Sequence, residues 1–524
     1  MAVAAAAAAL LVAFWFQQSL STTKQPPRLK ETVPFVSNTY QYLSNAGAFI
    51  DRVTYVETNS NILKFYVGFT PAYIVVGAKN VQKILNSPTT LDGHFLQLLL
   101  MKNHWGWNKE EIAKFANDHS GRAKVPAVEG VSDEERYWFG HNQLYVDFLS
   151  HRAHADSMAQ NFFRFLLERL DHGQNGSWST VRLMEVLKST MGEAAIMSLY
   201  GTKIIETNPG FVQAYWDFDE VGGHLVWGLP HFLQRKSVAI KDELHAMTRR
   251  HLDSAWEQFE WDGPDAESMW EPHFGSRLAR ETCRWLRDRG FSDHAQAGHT
   301  MALLFGLNGN TVPVTMWVLI ELLRDPALYA AVQAECLPLL SVDPATGERR
   351  IDGQRLASQP LMQSLYVEIM RLHVTFNVSR TATQPVQVED YVIPAGALVQ
   401  TCSQIAHYDE EAWGCDGHPA SKFWAYRNVK YVDGQPTFAM RGRPSAFFPY
   451  GGGYIVCPGR FFAKQEILLA VAAFVTKFDI EFVGWLNLDG SQSDRAPEND
   501  KRYAAFIAMH PDRDVAIRWK KRWE

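Results

Sequence analysis

Cysteine is scarce in this 524-residue chain: Cys283, Cys336, Cys402, Cys415 and Cys457 are the whole complement, scattered and odd in number. That pattern excludes a disulfide framework and the paired spacing of a zinc site, and it fits a reducing compartment. Cationic excess is also missing. The net charge is −6, which argues against nucleic acid as a partner. Beyond a run of N-terminal alanines there is no low-complexity tract and no internal repeat. What remains, 46% hydrophobic and 21% charged residues, is a globular composition with ample material for a large core.

Charge is absent altogether from Met1–Thr23, and Ala2–Phe16 is continuously apolar, ending in Phe14, Trp15 and Phe16. Uncharged Ser19–Thr23 extends it towards the length of a bilayer span. Lys24, Arg28 and Lys30 come next, which orients the rest of the chain to the cytosolic side. Residues 1–23 are therefore read as a membrane anchor. The competing reading, a cleaved signal peptide, lacks the basic residue that should precede its apolar run. Pro26 and Pro27 stiffen the chain beyond the anchor, so residues 24–48 form a Pro-rich hinge before a single catalytic domain over 49–524.

Alternating Leu63, Phe65 and Val67, then the apolar run 73–76, predict strands within 61–77. Residues 91–131 read as irregular, around His104, Trp105 and Trp107. From about 145 to 320 the pattern is helical, clearest over 159–170 and 183–199. It breaks at Gly222–Gly223 and again at 228–230, where Leu225, Val226, Trp227 and Leu229 gather. This group is either core or an exposed patch of the kind that meets a membrane or a ligand. Residues 391–399 read as a hairpin turning at 394–396, and 485–523 as strand pairs around a polar turn. The fold class is mostly α with a small β-rich part.

Three stretches carry chemistry. In the first, Phe447–Glu466, the glycines Gly451–Gly453 let the backbone fold tightly and approach a flat ligand. Cys457 then stands just before a helix, whose N-terminal dipole and free N–H groups favour a thiolate. A lone thiolate so placed suits one axial bond to haem iron; the plain alternative is a buried structural cysteine. In the second, residues 300–325, a long apolar helix is interrupted by Gly306, Gly309, Asn310, Thr311 and Pro313. Pro313 removes one backbone hydrogen bond, leaving room for water and a small ligand. In the third, Glu368 and Arg371 share a helix face in apolar surroundings, which asks for further partners for a buried pair. Arg427, after Phe423 and Trp424, is the candidate.

The order Tyr450, Gly451, Gly453, Ile455, Cys457, Gly459 resembles the haem-binding signature of the cytochrome P450 monooxygenases, over about residues 25 to 520. Gly309–Asn310–Thr311–x–Pro313 through Trp317 resembles the branch containing sterol 7α- and 12α-hydroxylases, prostacyclin synthase and filamentous-fungal relatives. The resemblance implies a cytochrome P450-like fold and protoporphyrin haem bonded axially by the Cys457 thiolate, with Gly451, Gly453 and Gly459 shaping its bed. It assigns Arg380 to a haem propionate, Thr311 and Asn310 to oxygen activation, and Glu368, Arg371 and Arg427 to a structural trio. Two positions depart from the pattern: Ile455 and Asn142 stand where basic residues usually meet propionates. Asn310 replaces the usual acid, so that Asp at 310 is expected to be accepted. The implied partners are NADPH–cytochrome P450 reductase, the endoplasmic reticulum membrane and a small, bulky apolar substrate of terpenoid, polycyclic or sterol-like type, oxidised in specialised metabolism. Two further readings stay open at this point. One is a haem-thiolate isomerase or dehydratase acting on a peroxide; the other is a non-enzymatic haem sensor.

Overall fold

The structure is a computed structural model that describes residues 24–55, 60–172, 176–344, 347, 349–440 and 445–523. The anchor reading of residues 1–23 falls outside them. Six helices position the site: α1 (His94–Asn103), α2 (Tyr137–Tyr145), α3 (Phe211–Leu225), α4 (Asp293–Arg324), α5 (Pro360–His373) and α6 (Arg460–Lys477). The five-stranded sheet beside them contains β1 (Ile62–Val67), β2 (Thr70–Val75), β3 (Leu91–Asp92), β4 (Asn377–Ala382) and β5 (Leu398–Cys402), in the order β1-β2-β5-β4-β3.

The helix α4 is the axis of the main core. Ser292 caps it by accepting a hydrogen bond from the Ala295 N–H, and Asp293 in the first turn suits the positive end of the dipole. Pro313 lies inside it, and residues 311–320 are buried on every side. Among the described helices it is long and apolar enough to cross a membrane, but 72% of its most apolar stretch is buried in the protein, so it is a core helix. Against it pack α6 and the helix Leu183–Tyr200, and the helix Arg152–Asp171 covers these two; the sequence pattern predicts both of the latter helices. Residues 24–48, read as a Pro-rich hinge, start along the sheet edge, where the Leu29 N–H donates to the Lys64 carbonyl and the Lys64 N–H to the Pro27 carbonyl, both at 2.8 Å, and then form the helix Ser37–Ser44 and the start of the helix Ala46–Tyr55.

Three sequence expectations are corrected. Residues 91–131 are not irregular throughout, since they hold β3, α1 and the helix Lys109–Ala116. The last starts with a capping box between Asn108 and Glu111. In α1 the apolar residues of HFLQLLLM, which follow His94 and are broken only by Gln97, run without a helical period, which hides the helix. The chain does not break at Gly222–Gly223, because α3 continues to Leu225. A Cβ at Gly222 would come within 2.9 Å of the Phe305 ring, so this glycine serves helix packing. Finally, 391–399 is not one hairpin. Tyr391–Ile393 pairs with Val386–Val388 across a turn in which Glu389 has φ 50°, while β5 joins the main sheet between β2 and β4. The C-terminal strand pair is as expected but longer: Phe478–Leu486 lies antiparallel to Asp514–Lys521, which also takes Ser179–Arg182.

The apolar group at 225–229 is divided. Leu225 and Val226 are core, and Trp227 packs against Tyr42 and Phe506. Leu229 is exposed together with Phe232 and Leu233.

Candidate active site

The loop before Cys457 is fixed by its own backbone and by buried charge. Gly451 and Gly453 have φ of 69° and 66°, a region open to glycine. A Cβ on Gly453 would lie 1.7 Å from the Leu85 carbonyl oxygen, so no side chain fits. The Cys457 N–H donates to the Tyr450 carbonyl at 3.0 Å, and the Cys457 carbonyl accepts from Arg460 at 2.9 Å. Tyr450, where phenylalanine is usual, satisfies its phenol against the Tyr366 hydroxyl of α5.

Behind the loop, Arg371 makes two 2.9 Å bonds to the two carboxylate oxygens of Glu368, and Arg427 Nε donates to the same carboxylate at 3.0 Å. All three side chains are fully buried. Their remaining donors go to carbonyls: Arg371 to His407 and Ala420, Arg427 to Trp413, His418, Pro419 and Lys422. The trio therefore stands as the sequence suggests. His407, whose role the sequence does not reveal, joins it to the cysteine loop: its Nδ1 lies 3.1 Å from the Arg371 carbonyl and its Nε2 accepts from the Phe448 N–H at 3.2 Å. Burial and the Arg371 charge keep the imidazole neutral, with its pKa lowered to about 3, which is the state that both bonds require.

Electrostatics at the sulfur differ from the sequence expectation. Burial pushes the Cys457 thiol up; the N–H groups of Gly459 and Arg460 and the Arg460 charge oppose this only in part. A thiolate there needs a further positive partner, which is what a coordinated metal supplies. Gly459 lies beside it, a Cβ at that position being 3.9 Å from Sγ.

Ile455 and Asn142 bring no charge to this region, and two cations come from elsewhere. Arg380 on β4 is buried; it donates to the Ser379 and Gly452 carbonyls at 3.0 and 3.3 Å and leaves its Nε without a partner. Arg122, from the segment that reads as irregular, is the second cation. It donates to His94 Nε2 at 3.1 Å and to Gln97, and lies over the Trp138 ring. Burial, with the nearby Arg380 charge, lowers it to about 10. The buried guanidinium of Arg380 and the half-buried one of Arg122, beside the carboxylate of Asp92, form a site short of negative charge. Haem carries two propionates, so the residues fit it. The pairing Leu91↔Ala382 and Asp92↔Thr381 between β3 and β4 puts this cluster together.

Cys457 lines a cavity of about 380 Å³ that is also bounded by Gly306, Asn310, Thr311, Phe376, Ile455 and Phe506. The last three also bound a second cavity of about 260 Å³, which runs past Arg380 to Leu100 and Trp227. Thr311 is buried. Its hydroxyl can donate to the Leu307 carbonyl or to Glu466 Oε1, each at 3.2 Å. Glu466, on α6, has no exposed surface and one oxygen without a partner, and burial pushes it up to about 8. It is the acid that Asn310 is not. Asn310 instead donates to the Gly306 carbonyl at 2.9 Å and accepts from the Ala508 N–H at 3.0 Å, tying α4 to the loop that carries Phe506. Pro313 leaves the Gly309 carbonyl without a helical donor; buried His510 meets the Gly309 backbone there and lies 3.5 Å from Asp219, which burial raises to about 7.

The family model described as Cytochrome P450 matches residues 225–485. The chain is 43% identical to the cytochrome P450 monooxygenase calL of Penicillium decumbens over 98% of its own length and 96% of that protein's. It is 26% identical to the cytochrome P450 monooxygenase fsoE of Humicola fuscoatra, covering 95% and 88%. A human 7-alpha-hydroxycholest-4-en-3-one 12-alpha-hydroxylase is 26% identical over 45% of this chain and 47% of its own.

Proposed function

The chain belongs to the cytochrome P450 family, whose haem is held by a cysteine thiolate and whose members of this kind are monooxygenases; from that premise we propose that Cys457 is the axial ligand and that the enzyme oxidises a bulky apolar, terpenoid or polycyclic substrate in specialised metabolism. The haem, once bound, supplies the oxygen chemistry. This chain's residues do the rest. Arg380 and Arg122 take the propionates, Gly451 and Gly453 shape the bed, Gly459 lies beside the sulfur, and Phe376 and Phe506 exclude water from an apolar pocket. Thr311 donates into that pocket, and Glu466 holds the proton that refills Thr311. Asn310 positions, by keeping α4 and the Phe506 loop in register.

The observation that carries the reading is the Thr311–Glu466 contact: a hydroxyl and a carboxyl that burial keeps protonated near neutrality. Proton delivery is what dioxygen activation requires and what rearrangement of a peroxide does not, so the contact supports the monooxygenase over the isomerase. A sensor needs neither. NADPH–cytochrome P450 reductase is the proposed electron donor. The endoplasmic reticulum is the proposed site, with residues 1–23 as anchor and exposed Leu229, Phe232 and Leu233 resting in the cytosolic leaflet.

Two measurements test this. The reduced protein with carbon monoxide should give the red-shifted Soret band of a thiolate complex, lost in Cys457→Ala; an unchanged band refutes the ligand assignment. Reductase-driven consumption of NADPH must accompany product formation. Turnover of a peroxide with no reductase, unaffected by Thr311→Ala, would replace the monooxygenase by the isomerase.

A further inference from the structure

Tyr145, at the C-terminal end of α2, forms part of the wall of the cavity beside Cys457. Its hydroxyl is 2.9 Å from Nε2 of His299 on α4 and 3.3 Å from Nε2 of His141, and those two nitrogens are 2.9 Å apart. Both imidazoles are buried. Burial lowers His299 to about 4; burial, His299 and Arg122 hold His141 well below its ordinary value. Of two neutral rings facing each other through Nε2, at most one of these nitrogens carries a hydrogen, so at least one presents its lone pair, which the phenol O–H and the other ring's N–H both reach. Aromatic groups lead outward from this trio. His141 lies 6.1 Å from the half-buried Trp285, and His299 lies 5.6 Å from Trp105, itself 5.4 Å from Trp107. The monooxygenase reading uses none of these groups. Two imidazoles and a phenol in a dry interior cost desolvation that apolar side chains would avoid.

We propose that Tyr145 is a redox-active tyrosine that gives an electron to a haem over-oxidised by peroxide while its phenol proton passes to His299, with Trp285 as the outlet to the surface. Electrons and protons balance at each stage. A peroxide, the two-electron oxidant, is reduced to water or an alcohol and leaves the haem two equivalents above its resting state. Tyr145 returns one equivalent: its O–H bond breaks, the proton goes to Nε2 of His299, and a neutral phenoxyl radical remains. Trp285 then supplies an electron to the phenoxyl, and His299 returns the proton. A small thiol in solution reduces the indole radical cation, and a second passage through the same groups returns the other equivalent. Two thiols thus give up two electrons and two protons and leave as a disulfide, and the protons complete the water formed from the peroxide oxygen. The function is to discharge oxidising equivalents when no substrate is bound, before they reach the Cys457 thiolate. The proposal rests on the haem reading above, which the carbon monoxide spectrum of Cys457→Ala tests separately.

The experiment uses the haem-loaded, ferric, substrate-free enzyme mixed with hydrogen peroxide and freeze-quenched for electron paramagnetic resonance. A tyrosyl radical is expected in the wild type and its loss in Tyr145→Phe at equal haem content. Trp285→Phe should lengthen the radical's lifetime. His299→Gln keeps a hydrogen-bond acceptor without a basic nitrogen, and should slow radical formation and abolish its solvent isotope effect. No tyrosyl signal in the wild type, or the same signal in Tyr145→Phe, overturns the proposal. If Tyr145→Phe fails to load haem, spin trapping in the wild type decides by peptide mapping: an adduct on Tyr145 upholds it, and adducts only elsewhere overturn it.

Discussion

The two sides of the pocket handle polar groups in opposite ways. Behind Cys457, Glu368, Arg371, Arg427 and His407 are charged or polar, buried, and supplied with partners on almost every donor and acceptor. Around α4, Thr311, Glu466, Asp219 and His510 are just as buried, but their contacts are few and long, and Glu466 Oε2 and His510 Nε2 have no hydrogen-bond partner. The first arrangement resists change, because removing one member of a buried ion pair strands the other. The second leaves protons free to move, since burial has brought its acids towards neutral pH. Saturation of hydrogen bonds marks the side that holds, and deficit marks the side that reacts.

The largest expected effect breaks the holding side. Arg371→Met or Glu368→Ala should cost about 3–5 kcal/mol, the usual penalty for stranding a buried charge, and give little or no haem-loaded protein. Thermal unfolding and the haem-to-protein absorbance ratio measure it. If either variant folds and loads haem normally, the contrast between the sides is wrong.

Next come Thr311→Ala and Glu466→Gln, which should leave haem content intact and lower product formed per NADPH by about 10²-fold, as for loss of one general acid. Hydrogen peroxide should appear instead. Glu466 also sets a stability trend. Its folded pKa is about 8, above the ordinary value of 4.5, so the folded state holds a proton that the unfolded chain has released between those limits. Stability from this group is complete below about 4.5 and is lost as pH rises to about 8. Glu466→Gln, a neutral mimic, should flatten that slope in pH-dependent chemical denaturation.

A smaller effect is expected from Asn310→Asp, and here the structure revises the sequence expectation that an acid would be accepted. Aspartate still accepts from Ala508 but cannot donate to the Gly306 carbonyl, so a loss of about 1–3 kcal/mol is expected, read as a lower Tm without a change in the carbon monoxide spectrum. Smallest is Phe232→Ser with Leu233→Ser. These side chains belong to neither side, and stability should stay within about 0.5 kcal/mol while binding to phospholipid vesicles weakens.

Locality decides how much of the fold and the site is legible in the chain. The glycines, Cys457 and its helix, and Glu368 with Arg371 three residues on, are short-range patterns that declare themselves. Pro313 and the polar pair Asn310–Thr311 stand out against an apolar helix for the same reason. Arg122 does not, because its contacts are to His94 and Gln97 of α1, well back in the chain, and Arg380 comes near only through the pairing of β3 with β4, two strands far apart in sequence. Glu466 closes the very stretch that the sequence marks, yet its partner Thr311 is 155 positions away, and α6 is buried on so many sides that no face of it signals function. Helix α1 escapes the pattern because an almost unbroken apolar run has no period to detect.

The loop with Phe506 is bound to α4 twice, by the Ala508 N–H to Asn310 and by the Met509 carbonyl to the Trp317 indole N–H at 2.8 Å. Trp317 also stacks on His373 of α5 at 3.9 Å. The pocket wall with Phe506 and the helix with Thr311 are thus one connected module. An engineer who grafts this loop from a relative must carry residues 310 and 317 with it, and a lineage that acquires a new substrate does so most readily by exchanging side chains on the loop while leaving its path alone.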